Sequence, residues 1–497
     1  MQRMSPLDAS FLHIENAVSH MHIGSAAIFE GPPPEHEEIL RAIGAKLPFV
    51  PRYRQKVQFV PLALGRPVWV DDPHFVLDYH IRHTAIPRPG GEEQLRNLVS
   101  RVMSQRLDRG KPLWEIWIAE GLQDDRWVMI SKTHHSMVDG VSSSDLLSVI
   151  MDPTREPPPA PPDRWRPEPE PNPAQLVTDA LAQRAASPYE AIRTLTSAVR
   201  GPRRVARNVV QATRDISATR AWLKPGSATS LNGPIGPHRR WTWARGRLSD
   251  VKAVREAFGG TVNDVVLAVI TNGFRDLLLG RQCDVSELTI RTLVPVSVRA
   301  SSQRGTYDNK VSAMFADLPV GIADPVERLD AVREQMEDLK ASRQAVGAEV
   351  LTSMGGFAPA MFLSLGARMS MRMPQRNLNT VTTNVPGPQH PMYLAGRRLL
   401  EVFPYVPLGN NIRVGLAIYS YDGGLNYGVT GDYDTAPDIG VLAAGIEAGM
   451  DELLTLAGRR RAAAAPASAP PPPRPQRRPA TRNGVTRARG SGPRSPS

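Results

Sequence analysis

Residues 126–140 read RWVMISKTHHSMVDG, and the fold and the chemistry both turn on how this stretch is read. The first nine residues alternate like a strand. Trp127, Met129, Ser131, Thr133 and His135 would share one side, and Val128, Ile130, Lys132 and His134 the other. Adjacent histidines on a strand point in opposite directions, so His134 and His135 can serve one atom only if the strand breaks between them. Asp139 and Gly140 are turn residues. Ser142 and Asp145 then have the spacing of a capping box for a helix in SSSDLLSVIM. A strand running through a loop into a helix is an α/β corner, and an imidazole there can face a cleft.

Imidazole is the side chain whose ordinary pKa lies closest to neutrality, so a neutral histidine can take a proton from an alcohol. Two other readings stand beside that one. Both histidines could be strand residues ahead of an Asp-Gly turn. Alternatively His20 and His22, on one strand face, could meet His134 or His135 around a metal, although no acid stands at ligand spacing.

The rest of the chain gives the corner its setting. Residues 1–151 alternate strand-like and helix-like segments: SHMHIGSAAIFEG, VLDYHIRHT, PLWEIWIAEGL and RWVMISKTHH as strands, EHEEILRAIGAKL and EEQLRNLVSRVMSQRL as helices. DPTREPPPAPPDRWRPEPEPNP is too proline-rich for helix or central strand and predicts an extended connector, with helical patterns from 175 to 223. Together they make a linking region, 152–229. Residues 230–457 mix both periods again. TVNDVVLAVITNGFRDLLL is helical, with Val266, Ile270, Phe274 and Leu277 in a stripe. ELTIRTLVPVSVR reads as a strand and PVERLDAVREQMEDLKASR as a helix, and a hairpin is expected about Gly423-Gly424. Residues 458–497 lack apolar periodicity and are expected to be disordered.

The net charge is +11 over 497 residues, but ten arginines and no acids lie from Arg459 onward, which leaves +1 for the rest. A basic tail on a near-neutral body does not describe a nucleic-acid binder. The single cysteine, Cys283, excludes a disulfide framework. No secretory signal opens the chain. Val350–Ala367 is uncharged but holds Pro359 and several glycines, which predicts a buried or interfacial segment, with its Met and Phe residues packing as core by default.

His-His-x-x-x-Asp-Gly at a strand end in a two-part α/β chain resembles the CoA-dependent acyltransferase superfamily. MSPLDASFLHIEN followed by MHIG, PRYRQKV, KPLWEIWIAEGL, SLNGPIGPHRR, TVNDVVLAV, LVPVSVR, TNVPGP with MYLAG, and SYDGGLNYGVTGDYD are together similar to the bacterial wax ester synthase/diacylglycerol acyltransferase family, over roughly residues 1–455. The chain lacks the DFGWG-type motif of the acetyltransferase and condensation branches, which favours the lipid branch.

The resemblance implies two chloramphenicol-acetyltransferase-like domains, with mixed sheets flanked by helices and an active-site channel between them. His135 would be the general base, with His134, Asp139 and Gly140 in support. Asn263 would donate to the reacting carbonyl, although Thr261 and Asp264 also have capping-box spacing, so Asp264 would start a helix. Pro112, Leu113 and Trp114 match a PLW motif, with Trp114, Ile116 and Ile118 as a buried strand face. Asn384–Pro388 would be a rigid turn between domains, and Glu15 is a family position.

By the same resemblance, acyl-CoA is a co-substrate and no bound cofactor or metal is needed. The acceptor would be diacylglycerol, giving triacylglycerol, or a fatty alcohol, giving wax ester. The protein would be cytoplasmic and peripheral to the inner membrane or lipid inclusions. A non-catalytic scaffold of such inclusions is the rival class.

Overall fold

The computed structural model describes residues 1–137, 149–156, 162–182, 229–297, 311–341, 378–409 and 411–464. The first half runs β1 (Gln2–Arg3), α1 (Pro6–Ile14), β2 (His22–Phe29), α2 (His36–Gly44), β3 (Gln55–Gln58), β4 (Val68–Asp71), α3 (Leu77–His80), β5 (Ile81–Ala85), α4 (Glu92–Ser104), β6 (Trp114–Leu122) and β7 (Arg126–His134). The second half runs β8 (Arg239–Arg247), α5 (Leu248–Phe258), α6 (Val262–Gly280), β9 (Ile290–Ser297), β10 (Val311–Leu318), α7 (Pro325–Ala341), β11 (Thr380–Pro386), β12 (Tyr393–Leu394), β13 (Arg397–Tyr405), β14 (Val414–Tyr421), β15 (Gly424–Asp432) and α8 (Ile439–Ala464).

Two six-stranded mixed sheets form the two domains, in the orders β12-β13-β2-β7-β6-β5 and β10-β9-β11-β14-β15-β8, with a small sheet β1-β4-β3 beside the first. The alternation in β7 is observed. Trp127 and Met129 pack into one core, and Val128 and Ile130 into another on the opposite face. The second of these cores is closed by α4, by Trp241 and Trp243 of β8, and by Phe403 and Tyr405 of β13. It therefore welds the halves together. Chain order does not map simply onto the sheets: β13 lies in the 230–457 segment yet pairs antiparallel with β2.

Several expectations need correcting. VLDYH is not strand. Leu77–His80 make one helical turn, because His80 turns inward to stack on Trp114 and bond its carbonyl, and the strand starts at Ile81. Asn384–Pro386 are not a turn: they pair in parallel with β14, and the turn begins at Gly387, whose N–H donates to Ser420 O at 2.9 Å. From there the chain crosses to β12 in the other sheet. α6 shows more than the expected stripe, being buried continuously from Asp264 to Phe274 because sheet and helices cover it on all sides. Its Gly273 touches α8 so closely that a Cβ there would stand 2.6 Å from Leu442 O. α8 itself continues past residue 458 to Ala464.

The hairpin is present, with Asp422 and Gly423 both at positive φ, the geometry of a type I′ turn. The proline-rich connector is extended over 162–172 but strapped down, since its acids meet the bases of the small sheet. Asp163 pairs with Arg54, Glu168 with the Met1 amino group at 3.2 Å, and Glu170 with Lys56 at 3.2 Å.

Candidate active site

β7 is a central strand covered on both faces, so its last side chain, His134, is 1% exposed and sits opposite His22 of β2. The strand then breaks. His135 opens a single 3₁₀ turn (His135–Met137), and its N–H donates to Met21 O at 2.7 Å. The break brings both rings under one helix. The His135 imidazole stacks on Phe11, with centroids 4.0 Å apart, while His134 faces Glu15, one helical turn beyond Phe11. α1 is placed to do this by Ser5, which caps its start, and by its end, where Glu15 N–H donates to Phe11 O.

His134 is held at Nδ1 and faces a carboxylate at Nε2. Ser136 N–H donates to its Nδ1 at 3.1 Å, with Ser136 Oγ 2.7 Å away, so the ring proton lies on Nε2. That nitrogen is 3.7 Å from Glu15 Oε2, and His22 Nε2 is 3.5 Å from Oε1. Arg109 completes the site, its Nε donating to Glu15 Oε2 at 2.9 Å and its Nη2 to the same oxygen and to Leu12 O. Burial alone would raise the Glu15 pKa, but the bonds from His134, His22 and Arg109 outweigh it and hold the carboxyl ionised well below its usual range.

The imidazoles go the other way. Burial pushes His22 down to about 3, and it lowers His134 despite the pull of Glu15. His135 is pushed down to about 4, by burial first. All three are neutral at pH 7. The pair is unequal in one respect: His134 is fixed by Ser136 and Glu15, whereas the half-buried His135 has no bond to another side chain among the described residues.

Asp264 is a cap. Thr261 N–H donates to its Oδ2 at 2.7 Å, and Asp264 N–H donates back to Thr261 Oγ1 at 3.3 Å. Half-buried Asn263 accepts from Asn384 Nδ2 at 3.4 Å through its Oδ1, which leaves its own amide N–H groups as donors. Among the described residues no hydrogen bond or ion pair joins Asn263 or Asp264 to either motif histidine. Asp139, Gly140, the Ser142–Asp145 cap and Val350–Ala367 lie outside the described residues.

Trp114 is core, with Nε1 donating to Tyr53 O at 2.8 Å. A cavity of about 660 Å³ opens between α2, Phe75, Leu77 and Trp165 of the connector; neither motif histidine lines it. His20 and His22 do gather near His134, but His22 and His134 face the Glu15 carboxylate and His20 Nε2 meets Ala17 O at 3.0 Å. The sequence left Arg109 and Ser136 unremarked. The available signal was the helical spacing of Phe11 and Glu15, which puts a ring and a carboxylate on one face of α1.

The chain is similar to known proteins over most of its length. The model of the wax ester synthase/diacylglycerol acyltransferase catalytic domain matches residues 4–266, and that of the family's C-terminal domain matches 307–454. A protein of Mycobacterium tuberculosis (strain ATCC 25618 / H37Rv), described as a probable diacylglycerol O-acyltransferase, is 36% identical over 93% of this chain and 97% of its own. The solved wax ester synthase/diacylglycerol acyltransferase from Marinobacter aquaeolei VT8 superposes with a TM-score of 0.65 at 26% identity, over 92% of this chain and all of that one. A trichothecene 15-O-acetyltransferase from Fusarium sporotrichioides shares the fold at 11% identity, with a TM-score of 0.56 over 91% of this chain and 95% of that one.

Proposed function

Because the chain belongs to the wax ester synthase/diacylglycerol acyltransferase family, we propose that it transfers a long-chain acyl group from acyl-CoA to diacylglycerol, making triacylglycerol, with His135 as general base. The observation that carries the assignment is the inequality of the two histidines. His134 is held by Ser136 and faces the Glu15 carboxylate, while its neighbour is neutral, half-buried and, among the described residues, without a side-chain hydrogen bond at a strand end.

The unprotonated ring nitrogen of His135 takes the acceptor hydroxyl proton as the oxygen attacks the thioester carbonyl. The tetrahedral oxyanion needs donors, and the amide N–H of Asn263, without a hydrogen-bond acceptor among the described residues, is our candidate, a role typically worth about 2.7–4 kcal/mol. The carbon–sulfur bond then breaks, the imidazolium returns its proton to the thiolate, and ester and free CoA leave. No covalent enzyme intermediate is required. Glu15 and Arg109 act through His134 as positioning residues. Asp139 and Gly140 belong to the same sequence motif, and the reaction would run at the surface of the inner membrane or a lipid inclusion.

Release of free CoA from palmitoyl-CoA, measured with a panel of acceptors, tests the reading. Turnover with dioleoylglycerol supports it. Turnover with hexadecanol alone would make the protein a wax ester synthase, and no turnover with any alcohol would favour a scaffold.

A further inference from the structure

The β3–β4 connection reads FVPLALG from Phe59 to Gly65, seven residues without a charge. Its tip is not folded back onto the protein. Leu62 is 86% exposed and Phe59 44%. Leu62 and Ala63 both have positive φ, 55° and 52°, a region that residues with a Cβ seldom occupy, and this conformation turns the Leu62 side chain to solvent. Two of the tip's donors are paired within it: Ala63 N–H donates to Val60 O and Leu64 N–H to Pro61 O, each at 3.2 Å, which lowers the cost of bringing this backbone to an apolar boundary.

Its surroundings fit the edge of a lipid layer. Arg66 follows the tip, and among the described residues no carboxylate pairs with it; Arg3, itself paired with Asp179, donates to the Arg66 carbonyl at 3.3 Å. Behind the tip, Val60, Val68 and Val70 pack on Leu176 and Ala180, so the base is rigid. α1 lies along that base. Met4 N–H donates to Pro67 O just before the helix, the ring of His13 meets Phe59 edge-on at 6.4 Å, and Leu7 is 51% exposed. This is the helix whose Phe11 and Glu15 hold the two histidines.

We propose that the Phe59–Gly65 tip is the docking surface through which the protein seats on a phospholipid surface, Leu62 entering the acyl layer and Arg66 meeting anionic headgroups. Such seating would put α1, and with it His135, at the lipid boundary from which a water-insoluble alcohol must come. The inference deepens the proposed acylation of a lipid alcohol, but its readout needs no turnover.

The test is flotation of the full chain with vesicles of phosphatidylcholine, with and without phosphatidylglycerol. Leu62→Asp and Leu62→Gly are the variants, and the glycine accepts the positive φ, so it keeps the fold if the aspartate does not. Both should lower vesicle partition at least about tenfold. Arg66→Gln should weaken binding only where phosphatidylglycerol is present. Acylation of a water-soluble short-chain alcohol should be unchanged in the Leu62 variants. Equal flotation of wild type and both Leu62 variants would overturn the proposal. So would a wild-type chain that does not float, or a dimer dispersed by Leu62→Asp with flotation intact. Loss of all turnover in the wild type with flotation preserved would remove the catalytic reading and leave this one standing.

Discussion

Replacing Glu15 by glutamine keeps the side-chain shape and removes the charge on which the site converges. The carboxylate faces His134 Nε2 at 3.7 Å, His22 Nε2 at 3.5 Å and Arg109 Nε at 2.9 Å. Glutamine offers one oxygen and one NH₂. If the oxygen stays with Arg109, the NH₂ meets the imidazoles, and the Nε2–H of His134 loses its acceptor. A buried donor left alone costs about 1–3 kcal/mol. If the amide turns the other way, Arg109, whose side chain is 33% exposed, can bond water at smaller cost. The expected loss of stability is therefore about 1–3 kcal/mol, read by urea denaturation.

With His134 no longer held, the turn that begins at His135 loses its anchor, and kcat should fall roughly ten- to a hundredfold with the KM for palmitoyl-CoA little changed. Glu15→Asp should restore part of both. The acid limb of the pH profile should not move toward neutrality, because it belongs to His135, whose pKa is lowered by burial first and not set by Glu15. A Glu15→Gln protein within about 0.5 kcal/mol and twofold in kcat of the wild type would refute the reasoning.

Four further outcomes follow from the geometry. kcat/KM should be flat from about pH 5.5 to neutrality and fall on an acid limb near the His135 value of about 4; a limb at about 6.5 would mean a ring solvated as in water. Stability should follow the same sign, since His22 and His135 bind protons less readily folded than unfolded: it is complete above about pH 6.5 and declines as pH falls toward 4, measured as Tm against pH. Thr261→Ala should cost about 0.5–2 kcal/mol with kcat nearly intact, whereas Asn263→Ala should leave the melting temperature unchanged and lower kcat by about 10²–10³, so equal kcat in the two would remove the oxyanion role. Gly273→Val should destabilise by about 1–3 kcal/mol or more in urea denaturation, because its Cβ would meet Leu442 O of α8.

Much of this was legible in the residues. The alternation of RWVMISKTH fixed which side chains face which core, and the capping spacing of Thr261 and Asp264 gave the start of α6. What escaped was non-local. Nothing in the motif says that the strand ends between His134 and His135, because that break is set by Met21, brought alongside through β2. The partners of Glu15 come from the loop after α4 and from two neighbouring strands, and no spacing rule links residues 15, 22, 109 and 134. The pairing of β13 with β2 was hidden for the same reason: strand patterns reveal faces, not neighbours. VLDYH misled because four residues with an apolar start suit one helical turn as well as a strand, and the burial of His80 against Trp114 decided between them.

The distinction between the two histidines can be read in one assay. Purified His135→Ala and His134→Ala proteins are given palmitoyl-CoA and dioleoylglycerol, and free CoA is followed beside a melting curve for each. His135→Ala should melt close to wild type and lose about 10²–10⁴ in kcat, while His134→Ala should lose stability first, because it leaves Glu15 buried with one partner fewer. A folded His135→Ala protein that kept more than about a tenth of the wild-type rate would contradict the assignment of the base.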